Sequence, residues 1–131
     1  MTIKFYNTLT RRKEDFRSIH DSKVGLYTCG PTVYSYAHIG NFRTYMFEDI
    51  LRRYLEYRGY HVTQVMNLTD IDDKTIRNSI ATGIPLKEYT KKYVDAFFED
   101  LESLRIEKAE VYPAATEHID EMVDLVKKLI E

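Results

Sequence analysis

The 131-residue sequence has little to close covalently: a single cysteine, three prolines and five glycines. One cysteine cannot form an internal disulfide, which agrees with a reducing compartment. A membrane helix needs roughly 18 or more consecutive apolar residues, and no run approaches that. The opening Met1-Thr2-Ile3-Lys4-Phe5-Tyr6 lacks the apolar core of a secretory signal, so the expected location is cytoplasmic, with no membrane association. The formal net charge of −2 excludes the strongly basic footprint of an autonomous nucleic-acid binder. Internal repeats and low-complexity tracts are also absent.

What is present describes a globular domain. Hydrophobic residues make up 44% and charged residues 31%, enough for one domain with a real core. Charge is uneven: residues 1–60 hold ten Lys/Arg against six Asp/Glu, and residues 61–131 nine against fifteen. A basic first half suits a phosphate-bearing ligand, although an ordinary solvated surface accounts for the same clustering.

The informative stretch runs from Thr28 to Arg43, through Cys29-Gly30-Pro31-Thr32-Val33-Tyr34 and His38-Ile39-Gly40-Asn41. It follows an apolar run that reads as a strand over 23–28 and precedes a long helical pattern. A strand, a glycine-containing turn and a helix start form a usual phosphate-binding geometry, because free N–H groups and the helix dipole favour an anion. Gly40 and Asn41 would open the helix, and His38, one turn back, could donate to a phosphoryl oxygen. A histidine before a helix is also commonly a satisfied turn residue. Cys29 has three readings: thiolate metal ligand, nucleophile, or small core residue. His20, His61 and His118 have no ligand spacing relative to it, so a complete zinc site is not expected within these residues.

Periodicity supplies the remaining elements. Residues 3–6 suit a short strand, 11–15 a polar connection, and 16–19 an extended stretch. The long helix should bury Phe42, Met46, Ile50 and Tyr54 with Tyr45, Phe47, Leu51 and Leu55, leaving Glu48/Arg52 and Asp49/Arg53 as solvated i,i+4 pairs. Gly59 should end it. Tyr60 to Leu68 reads as a second buried strand, parallel to the first in a βαβ unit. Thr69 or Asp70 should cap a short helix reaching about Thr82. Asp70, Asp72 and Asp73 could otherwise bind a cation. Gly83 and Pro85 break the chain before a helix over about 86–104. Thr116 should cap a last one carrying Ile119, Met122, Val123, Val126, Leu129 and Ile130. Most of the eleven tyrosines fall on core stripes. The final apolar face and the two-stranded sheet suggest the first half of a doubly wound domain.

At three places these residues resemble a known family. Thr28 to Arg43 resembles the first signature of the cysteinyl-tRNA synthetases, with His38-Ile39-Gly40-Asn41 as their form of the class I His-Ile-Gly-His motif. Asn67-Leu68-Thr69-Asp70-Ile71-Asp72-Asp73-Lys74 resembles their second characteristic segment, and Pro113 to Glu117 also fits. The resemblance implies an α/β fold: residues 1–131 as the N-terminal half of a Rossmann-like (HUP-type) class I catalytic domain, with a helical part over about 86–131. It further implies activation of L-cysteine by ATP with magnesium, and transfer to the cysteine tRNA by a monomeric enzyme. By carry-over, His38, Gly40 and Asn41 are catalytic, and His38 to Asn41 with Ile39 contact ATP. Gly30, Thr32 and Thr69 line the amino-acid pocket, and Cys29 is one ligand of a zinc ion that takes the substrate thiolate. A soft metal site of that kind would reject serine without editing. Position 41 is Asn where the general motif has His. The family's other zinc ligands, its Lys-Met-Ser-Lys-Ser loop and its anticodon-binding domain have no counterpart in these residues. Alternatives are a mycothiol-type cysteine ligase, a non-catalytic nucleotide- or RNA-binding module, and an unrelated α/β nucleotidyltransferase.

Overall fold

The computed structural model describes residues 2–131. Strands β1 (Lys4–Asn7) and β2 (Arg12–Asp15) form an antiparallel hairpin. The polar connection expected at 11–15 is therefore a strand, and 16–19 contains none. Glu14 explains the difference. Its carboxylate accepts from Asn7 Nδ2 across the hairpin and from Thr10 Oγ1 in the turn, which also lowers its pKa. Phe16 instead packs edge-to-face on Phe5 and Tyr60.

Strand β3 (Lys23–Thr28), helix α1 (Ile39–Tyr57) and strand β4 (His61–Met66) make the expected βαβ unit, with β3 and β4 parallel from Lys23 opposite His61 to Thr28 opposite Met66. Arg58 caps α1, and Gly59 follows at φ +89°, a conformation that favours glycine.

The buried face of α1 is only in part the one expected. Phe42, Tyr45 and Leu55 are buried, but so are Glu48, Asp49 and Arg52, while Met46, Phe47, Ile50 and Tyr54 are exposed. Asp49 and Arg52 are buried because they anchor the segment after the next helices. Arg52 donates to the Lys108 carbonyl (3.0 Å) and pairs with Glu110 (2.6 Å) and Glu56 (3.1 Å). Asp49 accepts from the Glu107 amide (3.0 Å) and pairs with Arg53, which also reaches Glu107. Of the two expected pairs, Asp49/Arg53 forms and Glu48/Arg52 does not; Arg52 turns to Glu56, Glu107 and Glu110 instead.

Helix α2 (Asp73–Thr82) is capped by Asp72 rather than by Thr69 or Asp70: Asp72 Oδ1 accepts from the Thr75 amide while Thr75 Oγ1 accepts from the Asp72 amide. Gly83, at φ +66°, ends α2, and Pro85 precedes α3 (Leu86–Ser103). The chain then runs beside β4 as a third parallel segment, with Met66 N donating to Val111 O and Leu68 N to Pro113 O. Pro113 and the shortness of its apolar run hid this segment from periodicity. A 3-10 turn (Ala115–His118) leads into α4 (Ile119–Ile130), none of whose residues is buried. Thr116 does not cap α4. Its amide and hydroxyl both donate to Asp70, which is why Asp70 is unavailable to α2.

The core lies between α1, the sheet and α3. It is built from Phe42, Tyr45, Met66, Leu68, Phe97, Leu101, Ile106 and Ala109. Phe97 stacks on Phe42 and meets Tyr45 edge-on, so the start of α1 is held by aromatic packing to α3.

Candidate functional site

The site is built where β3 and β4 end. Just past β3, Gly30 passes so close to the other strand that a Cβ there would lie 1.9 Å from the Asn67 carbonyl oxygen. Asn67 ties both strand ends together. Its Oδ1 accepts from Tyr27 Oη (3.0 Å) and the Gly30 amide (3.2 Å), while its Nδ2 donates to Thr69 Oγ1 (3.0 Å). Pairing continues as Thr69 N donates to Pro31 O and Val33 N to Thr69 O. Gly30, Thr32 and Thr69 therefore stand on one rigid crossing of two backbones.

His38 is the N-cap of α1. Its Nδ1 accepts from the Gly40 amide (3.0 Å), and Asn41 Oδ1 accepts in return from the His38 amide (3.0 Å). An accepting Nδ1 leaves the proton of the neutral ring on Nε2, which is then a donor. Gly40 is what permits this arrangement, since a Cβ there would stand 2.9 Å from His38 Cε1.

A cavity of about 290 Å³ opens between this loop, α2 and α3. Gly30, Thr32, His38 and Asn41 line it, together with Tyr34, Tyr36, Tyr93 and Lys74. Cys29, Thr69, Ile39 and Gly40 do not; Ile39 and Gly40 border a separate apolar groove with Phe42, Met46, Phe47 and Ile50. Cys29 carries an exposed free thiol beside Tyr45. Among the described residues, no three His, Cys, Asp or Glu side chains gather as a metal set.

Periodicity missed several groups. Lys74 and Asn67 lie inside the second motif but gave no sign of which would face the cavity. Tyr34, Tyr36 and Tyr93 line it rather than serving only as core. Glu48, beside Thr28 at the end of β3, has its pKa pushed up to about 6, by burial and against a hydrogen bond from Thr28, and its Oε2 has no partner among the described residues. Burial also pushes the Tyr45 hydroxyl up to about 12, with Glu48 and Cys29 adding to the effect.

The profile of the tRNA synthetases class I (C) catalytic domain matches residues 15–131. The chain belongs to this family. Among relatives of this catalytic-domain family, cysteine--tRNA ligase of Brachyspira hyodysenteriae is 61% identical over 127 residues, 97% of this chain and 27% of that protein. Cysteine--tRNA ligase of Protochlamydia amoebophila is 59% identical over 98% of this chain and 27% of its own length. That of Thermococcus onnurineus is 51% identical over all of this chain and 28% of its own. The chain thus spans little more than a quarter of the length of the curated relatives it matches. Family membership fits the α/β fold with its parallel strands, and no helix among the described residues is long and apolar enough to cross a membrane. The zinc site expected from the resemblance needs about four ligands. Cys29 has no such company among the described residues, so they do not fit a zinc site by themselves.

Proposed function

We propose that these residues form the N-terminal portion of the catalytic domain of a cysteine--tRNA ligase, and that the cavity beside His38 holds ATP. The observation that carries this reading is the cap of α1: a histidine fixed as an Nε2–H donor, at a helix start that follows a parallel strand, in a chain of the class I (C) family. In the reaction proposed, an oxygen of the cysteine carboxylate bonds to the α-phosphorus of ATP. The bond from that phosphorus to the pyrophosphate oxygen breaks, and pyrophosphate departs, with magnesium neutralising its charge. The cysteinyl group then passes to the 3′ end of the cysteine tRNA. Such transfers depend mainly on positioning and on donors aimed at developing charge. His38 supplies the donor. Asn41 holds the His38 backbone, so its share is orientation rather than contact through Oδ1. Gly40 allows the ring to lie over the first turn, and Ile39 flanks it.

Gly30, Thr32 and Thr69 are proposed to line the amino-acid side of the crossing, and Cys29 to contribute one thiolate to a zinc site completed by residues outside this chain. The 131-residue chain alone should then bind zinc weakly or not at all, and tight stoichiometric zinc in the purified chain would overturn that assignment. We further propose a cytoplasmic, monomeric enzyme. Its name-bearing relatives favour the tRNA ligase over the mycothiol-type alternative.

The test is exchange of labelled pyrophosphate into ATP by a protein of the relatives' full length that carries these residues. Exchange should require cysteine and be lost in His38→Ala. Exchange independent of cysteine overturns the proposal.

A further inference from the structure

The cavity has an electrostatic character that the His38 cap does not explain. Although the chain holds 21 Asp and Glu, none among the described residues lines the cavity, and the only formally charged side chain among them that does is Lys74. No carboxylate forms an ion pair with Lys74 among the described residues. Two nearby acids are already committed: Asp70 accepts from Thr116, and Asp72 caps α2. The Lys74 ammonium instead lies 4.6 Å from the centroid of the Tyr34 ring. A cation–π contact of this kind positions an ammonium without neutralising it or using up its N–H donors.

Tyr34 is itself fixed. Its carbonyl accepts from Tyr89 Oη of α3 (2.7 Å), and that hydroxyl accepts in turn from Asn78 Nδ2 of α2 (3.1 Å). The loop, α2 and α3 are thereby pinned to one another around the cavity. Lys74 stands on the α2 wall, and His38 on the wall formed by the start of α1. One cavity thus carries a positioned ammonium, a positioned ring N–H donor, and no negative side chain.

We propose that Lys74 binds the phosphate chain of the nucleoside triphosphate in this cavity. The inference rests on the nucleotide reading of the His38 site and deepens it: His38 and Lys74 divide the ligand between them, with Lys74 taking the polyphosphate. Lysine suits that role as a compact point charge with three donors.

The experiment measures binding of ATP, adenosine and inorganic tripolyphosphate to the protein by calorimetry in magnesium-free buffer. It compares wild type, Lys74→Met, Lys74→Arg and His38→Ala. Lys74→Met keeps the stem over Tyr34 and removes the charge; because Lys74 is exposed, its circular dichroism and melting should match wild type. ATP and tripolyphosphate should bind roughly tenfold or more weakly to Lys74→Met, adenosine should be unaffected, and Lys74→Arg should keep most of the affinity. Lys74→Met that binds ATP and tripolyphosphate as wild type does overturns the proposal while leaving the nucleotide reading intact. If instead tripolyphosphate binding depends on Lys74 but adenosine adds nothing and His38→Ala changes nothing, the nucleotide reading falls and Lys74 stands as a polyphosphate site. Wild type that binds neither ATP nor tripolyphosphate overturns both.

Discussion

Gly30 and Gly25 stand five positions apart and face opposite constraints. A Cβ at Gly30 would meet backbone at 1.9 Å and Met66 Cγ at 2.8 Å, whereas one at Gly25 meets nothing within 4 Å. Gly30→Ala must therefore force β3 and β4 apart where Asn67 joins them, at a cost of about 2–4 kcal/mol in urea denaturation, while Gly25→Ala should stay within about 0.5 kcal/mol. Glu48 offers a test in pH. Its folded pKa of about 6 lies above the ordinary 4.5, chiefly through burial. The unfolded chain ionises first as pH rises, so any stability that depends on a neutral Glu48 is complete below about 4.5 and lost as pH climbs through 6. At roughly 1.4 kcal/mol per pKa unit the loss is about 1–2 kcal/mol. Glu48→Gln should match wild type near pH 4.5 and exceed it by about that amount at pH 7.5, measured by denaturation at both values. Neither residue advertises this in the sequence. A glycine in a turn looks the same whether or not another backbone crosses it, and a carboxylate on a helix looks solvated until its neighbours are known.

Helix α1 shows where pattern reading stops at the level of an element. Its existence, its length and its end near Gly59 follow from spacing and a glycine. Its orientation does not, because apolar residues occupy both sides: Phe42, Tyr45 and Leu55 on one, Met46, Phe47 and Ile50 on the other. The tie is broken by Glu107 and Glu110, more than fifty residues away, which give buried Arg52 its partners and hold Arg53 beside it. Local periodicity carries no information about partners at that distance. The consequence can be measured. Arg52→Ala would leave Glu110 without its cation and the Lys108 carbonyl without its donor, destabilising the fold by about 2–4 kcal/mol. Phe47→Ser, on the side periodicity marks as core, should change stability by less than about 0.5 kcal/mol. The caps follow the same logic. Asp70, Asp72 and Thr116 are all plausible caps by type, and only the Asp70–Thr116 contact across the fold decides which of them serves.

At the scale of the molecule, the βαβ unit and the two motifs at its strand ends were legible because each is local: an apolar run, a glycine turn, an amphipathic helix. The third parallel segment beside β4 and the cavity between three elements were not, since both arise only when distant pieces meet. Apolar surface is also distributed at this scale. All six apolar residues expected on the last helix are exposed, as is the Met46–Ile50 side of α1. The 131-residue chain should therefore bind a hydrophobic dye such as ANS while native. Deleting residues 119–131 should lower that signal and shift the melting temperature by no more than about 2 °C, because none of α4 is buried. Charge is partitioned as well, with every acidic side chain kept off the cavity wall. His38 Nδ1 is occupied in the cap, where it accepts from the Gly40 amide. An anion entering this chamber meets an ammonium and no like charge among the described residues, so its affinity should fall as ionic strength rises.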